Sequence, residues 1–187
     1  PLTEGTVIMA DHQFAGKGQL QHVWESEAGK NLTISILLKP TFLPVGQQFE
    51  LNKVVSLALL DVLKPLFGAR VSIKWPNDIY VGQKKLGGIL LEMLGDPAGH
   101  CSVVVGVGIN VSMPVEAGEA IDQDWTDINS QLNKPISRNT LVAALISHLL
   151  VLLDSFQATG FGPYRDEWQS ADAFKGQQAT VTTVRDS

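Results

Sequence analysis

The 187-residue chain contains a single cysteine, Cys101. One cysteine can neither close an internal disulfide nor build a thiolate metal site, so a reducing compartment, the cytoplasm, is the expected setting. Cys101 itself reads as a small buried hydrophobe rather than a nucleophile. The four histidines, His12, His22, His100 and His148, show no metal-ligand spacing, and His148 falls in a leucine-rich stretch where a core role is expected. Positive charge is also scarce. Fourteen Lys and Arg against nineteen Asp and Glu leave a net charge of −5, which weighs against a nucleic-acid partner. No uninterrupted apolar run approaches the roughly 18 residues of a membrane span, and no basic-then-apolar leader opens the chain. Neither a membrane nor a secretory route is expected. There is no G-x-S-x-G elbow, no G-x-x-x-x-G-K-[ST] loop and no complete G-x-G-x-x-G. Serine-hydrolase, P-loop and Rossmann readings fall with them.

What remains is a core-forming composition, 44% apolar and 18% charged. Residues 6–10 and 31–38 read as strands. In the second, Leu32, Ile34 and Ile36 share one face while Thr33, Ser35 and Leu37 share the other. Residues 11–30 between them lack periodicity and read as a long loop, a length usually kept for function. In residues 49–63, Leu51, Val54, Val55, Ala58, Leu59 and Val62 recur at helical spacing, with Pro65 and Gly68 expected to stop the helix. Strands are expected at 70–75, 79–81, 84–94 and 102–107, with Gly82-Gln83 as a two-residue hairpin turn. A turn is expected at 95–99 and a glycine-punctuated loop at 106–112. Residues 137–159 read as a second long helix, capped by Ser137 and ended by Gly160. Leu141, Leu145, His148, Leu149 and Leu152 mark its expected buried stripe. The fold class is therefore α+β, a mixed or antiparallel sheet covered by helices on one side. Pro1 is not an initiator methionine, and residues 177–187 stop inside an alternating pattern, so the chain is expected to be a piece of something longer.

Three segments carry chemistry. Gly16-Lys17-Gly18, followed by Trp24, offers backbone N–H groups, one cation and a flat apolar lid. Lys74-Trp75-Pro76-Asn77-Asp78, followed by Lys84-Lys85-Leu86-Gly87-Gly88, aims polar groups from a hairpin that is basic within an acidic protein, which suits an anion such as a triphosphate. Gly106-Val107-Gly108-Ile109-Asn110 leaves room for a ligand against the backbone.

In this order, K-W-P-N-D at 74–78, K-L-G-G-I-L-L-E at 85–92 and G-V-G-I-N at 106–110 resemble the catalytic domain of biotin protein ligases (biotin–acetyl-CoA-carboxylase ligases). Upstream, A-D-x-Q-x-A-G-K-G at 10–18 and W-x-S-x-x-G-x-N-L at 24–32 resemble that family's biotin and adenylate loop. The resemblance implies a class II synthetase-like biotin/lipoate ligase core over residues 1–173, N-terminally incomplete, and the start of a truncated SH3-like β-barrel over 174–187. It implies ATP-dependent formation of biotinyl-5′-AMP, then transfer of biotin to a lysine of a biotin carboxyl carrier domain of acetyl-CoA carboxylase. A homodimer is allowed by the same exposed strand edges that could take the carrier. By the same resemblance Lys85 and Lys17 are the catalytic cations. Gln13, Gly16, Lys17, Gly18, Gln19, Ser35, Lys85, Gly88 and Gly108 would meet biotin, and Trp24, Asn77 and Asn110 the nucleotide. Asp78 would meet Mg²⁺. Two departures stand out: the family's serine-threonine-asparagine motif does not occur before Gly5, and its G-R-G-R-R-G loop reads Gly16-Lys17-Gly18-Gln19-Leu20-Gln21 here. The rival readings are a lipoate or octanoyl transferase, whose R-R-x-S-G-G motif is missing, and a non-catalytic biotin- or nucleotide-binding fragment.

Overall fold

A computed structural model describes residues 2–95 and 101–178. In chain order it contains β1 (Val7–Ala10), β2 (Asn31–Leu38), α1 (Glu50–Phe67), β3 (Val71–Lys74), β4 (Asp78–Val81), β5 (Lys84–Gly95), β6 (Cys101–Asn110), α2 (Ile128–Leu132), α3 (Arg138–Thr159) and α4 (Arg165–Ser170). The strands form one antiparallel sheet in the order β1-β2-β6-β5-β4-β3. Side-chain alternation gives this sheet two unlike faces. Leu32, Ile34, Ile36 and Leu38 of β2 and Val103, Val105, Val107 and Ile109 of β6 are buried on one face. That face packs under α1, whose Leu51, Val54, Val55, Ala58 and Leu59 are equally buried, and α3 lies mainly on α1. Each fully buried aliphatic side chain stabilises the fold by about 1.5–3 kcal/mol. The opposite face carries small residues, Thr33, Ser35, Gly88, Gly106 and Gly108, and stays open.

The expected α+β class, the Gly82-Gln83 turn (Gly82 at φ +61°) and the Ser137 cap, whose hydroxyl accepts from Thr140 N at 3.3 Å, all appear. Several expectations need correction. The helix α1 runs through Pro65 to Phe67. The ring removes one hydrogen bond in the last turn, while Phe67 is buried and Gly68 N bonds to Lys64 O at φ +60°. Residues 106–110 are not a loop but the end of β6, held between β2 and β5 on both sides. His148 is on the outside of α3 with its Nδ1 3.4 Å from Asp61 Oδ2, because the buried stripe runs Leu141, Leu145, Leu149, Phe156. Cys101 is half-buried, its thiol donating to Leu94 O. Although broken by polar residues, α3 is by length and composition alone long and apolar enough to cross a membrane; here it packs on α1. The expected turn at 95–99 and β-barrel start at 174–187 fall largely outside the described residues.

Candidate functional site: a glycine-floored cleft

Register builds the floor. Gly88 stands opposite Gly108 and Leu90 opposite Gly106, while Thr33 and Ser35 of β2 stand opposite Gly108 and Gly106 on the other side. Adjacent positions without side chains leave a cleft of about 680 Å³ on the open face. Its lining includes Gln13, Lys17, Gly18, Gln19, Trp24, Ser35, Asn77, Asp78, Lys85, Gly88, Gly108 and Asn110. All but one of the sequence-predicted site residues therefore meet in one place. Gly16 is the exception. It sits behind the wall, where a Cβ would overlap the carbonyl of Trp24 and where its own carbonyl accepts from Trp24 N at 2.9 Å.

The long loop that holds Gly16 is less shapeless than its composition suggests. A Lys17–Val23 bridge, Gly18 N to His22 O at 2.7 Å and His22 N to Gln19 O at 3.1 Å fold residues 16–24 into a small hairpin. Leu20 at its tip has φ +53°, a left-handed conformation. Trp24 then lays its indole over Gly108, where any Cβ would overlap the ring. Its Nε1 is buried without a hydrogen-bond partner, which leaves an unmet donor at the cleft.

Lys85 reaches this face through a β-bulge. Strict alternation from Gly88 and Leu90 would put residue 86 in the cleft and turn residue 85 away. Instead Ile79 pairs with Gly87 and Tyr80 with Lys85, leaving Leu86 unpaired. Leu86 is fully buried, and Lys85 lines the cleft. Lys85 Nζ lies 2.9 Å from Asp78 Oδ1, the two side chains being 18% and 16% exposed. That oxygen has no aligned hydrogen-bond donor, so the contact is one of charge. The two asparagines are less free. Asn77 Nδ2 donates to Ile89 O at 3.2 Å. Asn110 is 3% exposed, with Oδ1 accepting from Asn31 Nδ2 at 3.0 Å and Nδ2 donating to Thr126 O at 3.1 Å. Both border the cleft while bracing it. Among the described residues no group of three His, Cys, Asp or Glu could hold a metal unaided. Sequence reasoning missed the wall formed by Ala120, Ile121, Gln123 and Trp125. No motif marks that stretch in the sequence.

Residues 1–110 match the model of the biotin/lipoate A/B protein ligase family. The chain belongs to that family. It is 33% identical over 173 residues to the bifunctional ligase/repressor BirA of Escherichia coli, a match covering 92% of this chain and 53% of that protein. It is 31% identical to the biotin–[acetyl-CoA-carboxylase] ligase of Paracoccus denitrificans, over 97% of this chain and 77% of that one. The fold matches the Aquifex aeolicus biotin protein ligase in complex with biotin and ATP, with TM-score 0.80 and 28% identity over 93% of this chain and 71% of that one. The chain spans about half the length of the BirA relatives it matches. In this ligase family, then, the glycine floor, the Trp24 hairpin and the Lys85–Asp78 pair are the features to which a function must be attached.

Proposed function

We propose that the protein is an ATP-dependent biotin ligase of the biotin–[acetyl-CoA-carboxylase] type, working in the cytoplasm. The observation that carries this reading is the Lys85 ammonium held against Asp78 beside a floor of Gly88 and Gly108. A compact bicyclic ring system fits against such a floor, and the lysine stands where a carboxylate and a phosphate must meet. In the first half-reaction a biotin carboxylate oxygen attacks the α-phosphorus of ATP and pyrophosphate leaves. Two anions approach each other in that step, so a fixed cation at the meeting point stabilises the transition state more than the separate reactants. Lys85 serves there, and Lys17 adds a second cation from the hairpin. Gln13 offers an amide to the ureido group, with Gly18, Gln19 and Ser35 around the ligand. Trp24, seated on Gly108, walls the cleft beside the ligand and keeps water from the mixed anhydride. Asn77 and Asn110 shape the nucleotide end. The donor set does not form a self-contained metal site. Asp78, the carboxylate beside Lys85, would help hold a Mg²⁺ ion already carried on phosphates, and that ion would supply further charge neutralisation.

In the second half-reaction a carrier lysine attacks the activated carbonyl and AMP leaves. The partner is a biotin carboxyl carrier domain, and β5 offers it a docking edge. Ile89 N donates to Asn77 O at 2.8 Å, away from β6. By antiparallel alternation the main-chain groups of Leu91 and Met93 point the same way, and β4 does not extend to meet them. Strand addition there would bring a second β-domain, or a second copy of this chain, to the mouth of the cleft. The test is incorporation of labelled biotin into a purified carrier domain with ATP. Label appearing on one carrier lysine, at an initial rate about 10²-fold lower in Lys85→Ala, supports the reading; an unchanged initial rate in Lys85→Ala contradicts it.

A further inference from the structure

At Lys85 the sheet changes partner. The last residue of β6 to pair with β5 is Ile109, opposite Gly87, so the main chain of Lys85 lies beyond the strand that would otherwise satisfy it. Residues 124–126 take the vacated place. Lys85 N donates to Asp124 O at 2.9 Å and Thr126 N donates to Lys85 O at 2.9 Å, forming a parallel bridge centred on Trp125. Because main-chain groups removed from water need partners, these two bonds decide where the Lys85 backbone rests. The bridging segment is itself held at two points. Asn110 Nδ2 donates to Thr126 O at 3.1 Å. The Trp125 indole packs against Gly118, with Nε1 donating to Gly118 O at 3.1 Å, and a Cβ at position 118 would overlap the ring. Ala120, Ile121, Gln123 and Trp125 also border the cleft, so one short stretch both faces the ligand and fixes the lysine.

We propose that Trp125 and Gly118 form a clasp that positions Lys85 for adenylation. Resting on the ligase reading above, the clasp couples filling of the Trp125 end of the cleft to placement of the Lys85 ammonium. Trp125 and Gly118 are positioning residues; they act through the backbone of Lys85. The test measures hydrogen exchange at the Lys85 amide alongside adenylation kinetics, in the unaltered protein, Gly118→Ala, Trp125→Phe and the double variant. Gly118→Ala is expected to speed exchange at Lys85 and to lower kcat for pyrophosphate formation about ten- to a hundredfold, with KM for biotin within about twofold. The double variant, with a smaller ring above the new methyl group, is expected to recover part of both. Unchanged kcat in Gly118→Ala overturns the proposal, whatever the exchange shows. So does a loss of biotin affinity equal to the loss of kcat, since that is general collapse of the cleft. If Gly118→Ala does not fold, Trp125→Phe, which removes the N–H donor but keeps an aromatic ring over Gly118, is read by the same two measurements. If the unaltered protein forms no adenylate the ligase reading fails, while the exchange comparison still decides whether the clasp holds Lys85.

Discussion

Gly108 shows how one missing side chain sets the shape of the cleft. Trp24 lies where a methyl group at position 108 would be, so Gly108→Ala must lift the indole or push the strand. Overpacking of this kind costs about 1–3 kcal/mol, which is about 5- to 140-fold in affinity if the strain falls on the ligand-bound state. Isothermal titration with biotin should show that loss, with near-native circular dichroism. Lys85 acts on rate. Lys85→Ala is expected to lower kcat for adenylate formation on the order of 10²-fold, because the charge it supplies matters most in the transition state; a pyrophosphate-release assay checks it. The motifs made both residues legible. They did not reveal the bulge that exchanges Lys85 with Leu86, nor the buried bonds that occupy Asn77 and Asn110. Those depend on strands that are remote in the chain. Gly16 was legible as necessary but not as to its role, since glycine serves a tight backbone approach as readily as a ligand.

At the scale of elements, alternation in residues 31–38 named the inner and outer faces of β2 correctly because both neighbours of that strand obey the same period. The glycines at 106 and 108 misled for a physical reason. Glycine weakens an isolated strand, and only pairing with β2 and β5 on both sides carries β6 on to Asn110. Five residues are too few to show helical periodicity, so α2 was invisible despite its cap, Asp127, which accepts from Ser130 N at 2.9 Å. The Trp24 hairpin carries Gln19 where related loops carry arginine. Glutamine donates to phosphate without charge, and charge-assisted bonds are about twice as strong. Gln19→Arg is therefore expected to slow escape of biotinyl-5′-AMP, measured as its off-rate by rapid filtration. The open edge of β5 makes a separate prediction. Met93 is 56% exposed, and proline there removes an outward N–H that an added strand would use. Met93→Pro should slow biotin transfer to the carrier about tenfold or more while leaving adenylation near its normal rate. Equal slowing of both steps would move the docking site elsewhere.

For the whole molecule, division of labour follows from the two faces of one sheet. The face under α1 and α3 holds the aliphatic core, and the other surrenders side chains to make room for a ligand. Family membership supports the reaction class proposed for that geometry, and the cleft supplies the candidate residues. Lys17 and Lys85 are the two cations of a cleft that Glu25, Asp78, Glu92 and Asp122 also line, so any anion is met by these two ammonium groups locally and not by a broad positive field. Biotin and lipoate ligases share the family, so the choice of acid is what separates this protein's reaction from its neighbours'. The decisive measurement is detection of the acyl-adenylate by mass spectrometry, with pyrophosphate release followed in parallel, after mixing the protein with ATP and either biotin or lipoate. Biotinyl-5′-AMP and stoichiometric pyrophosphate are expected with biotin, and neither product with lipoate. Lipoyl-adenylate without biotinyl-adenylate, or biotin binding with no adenylate at all, would contradict the biotin ligase reading.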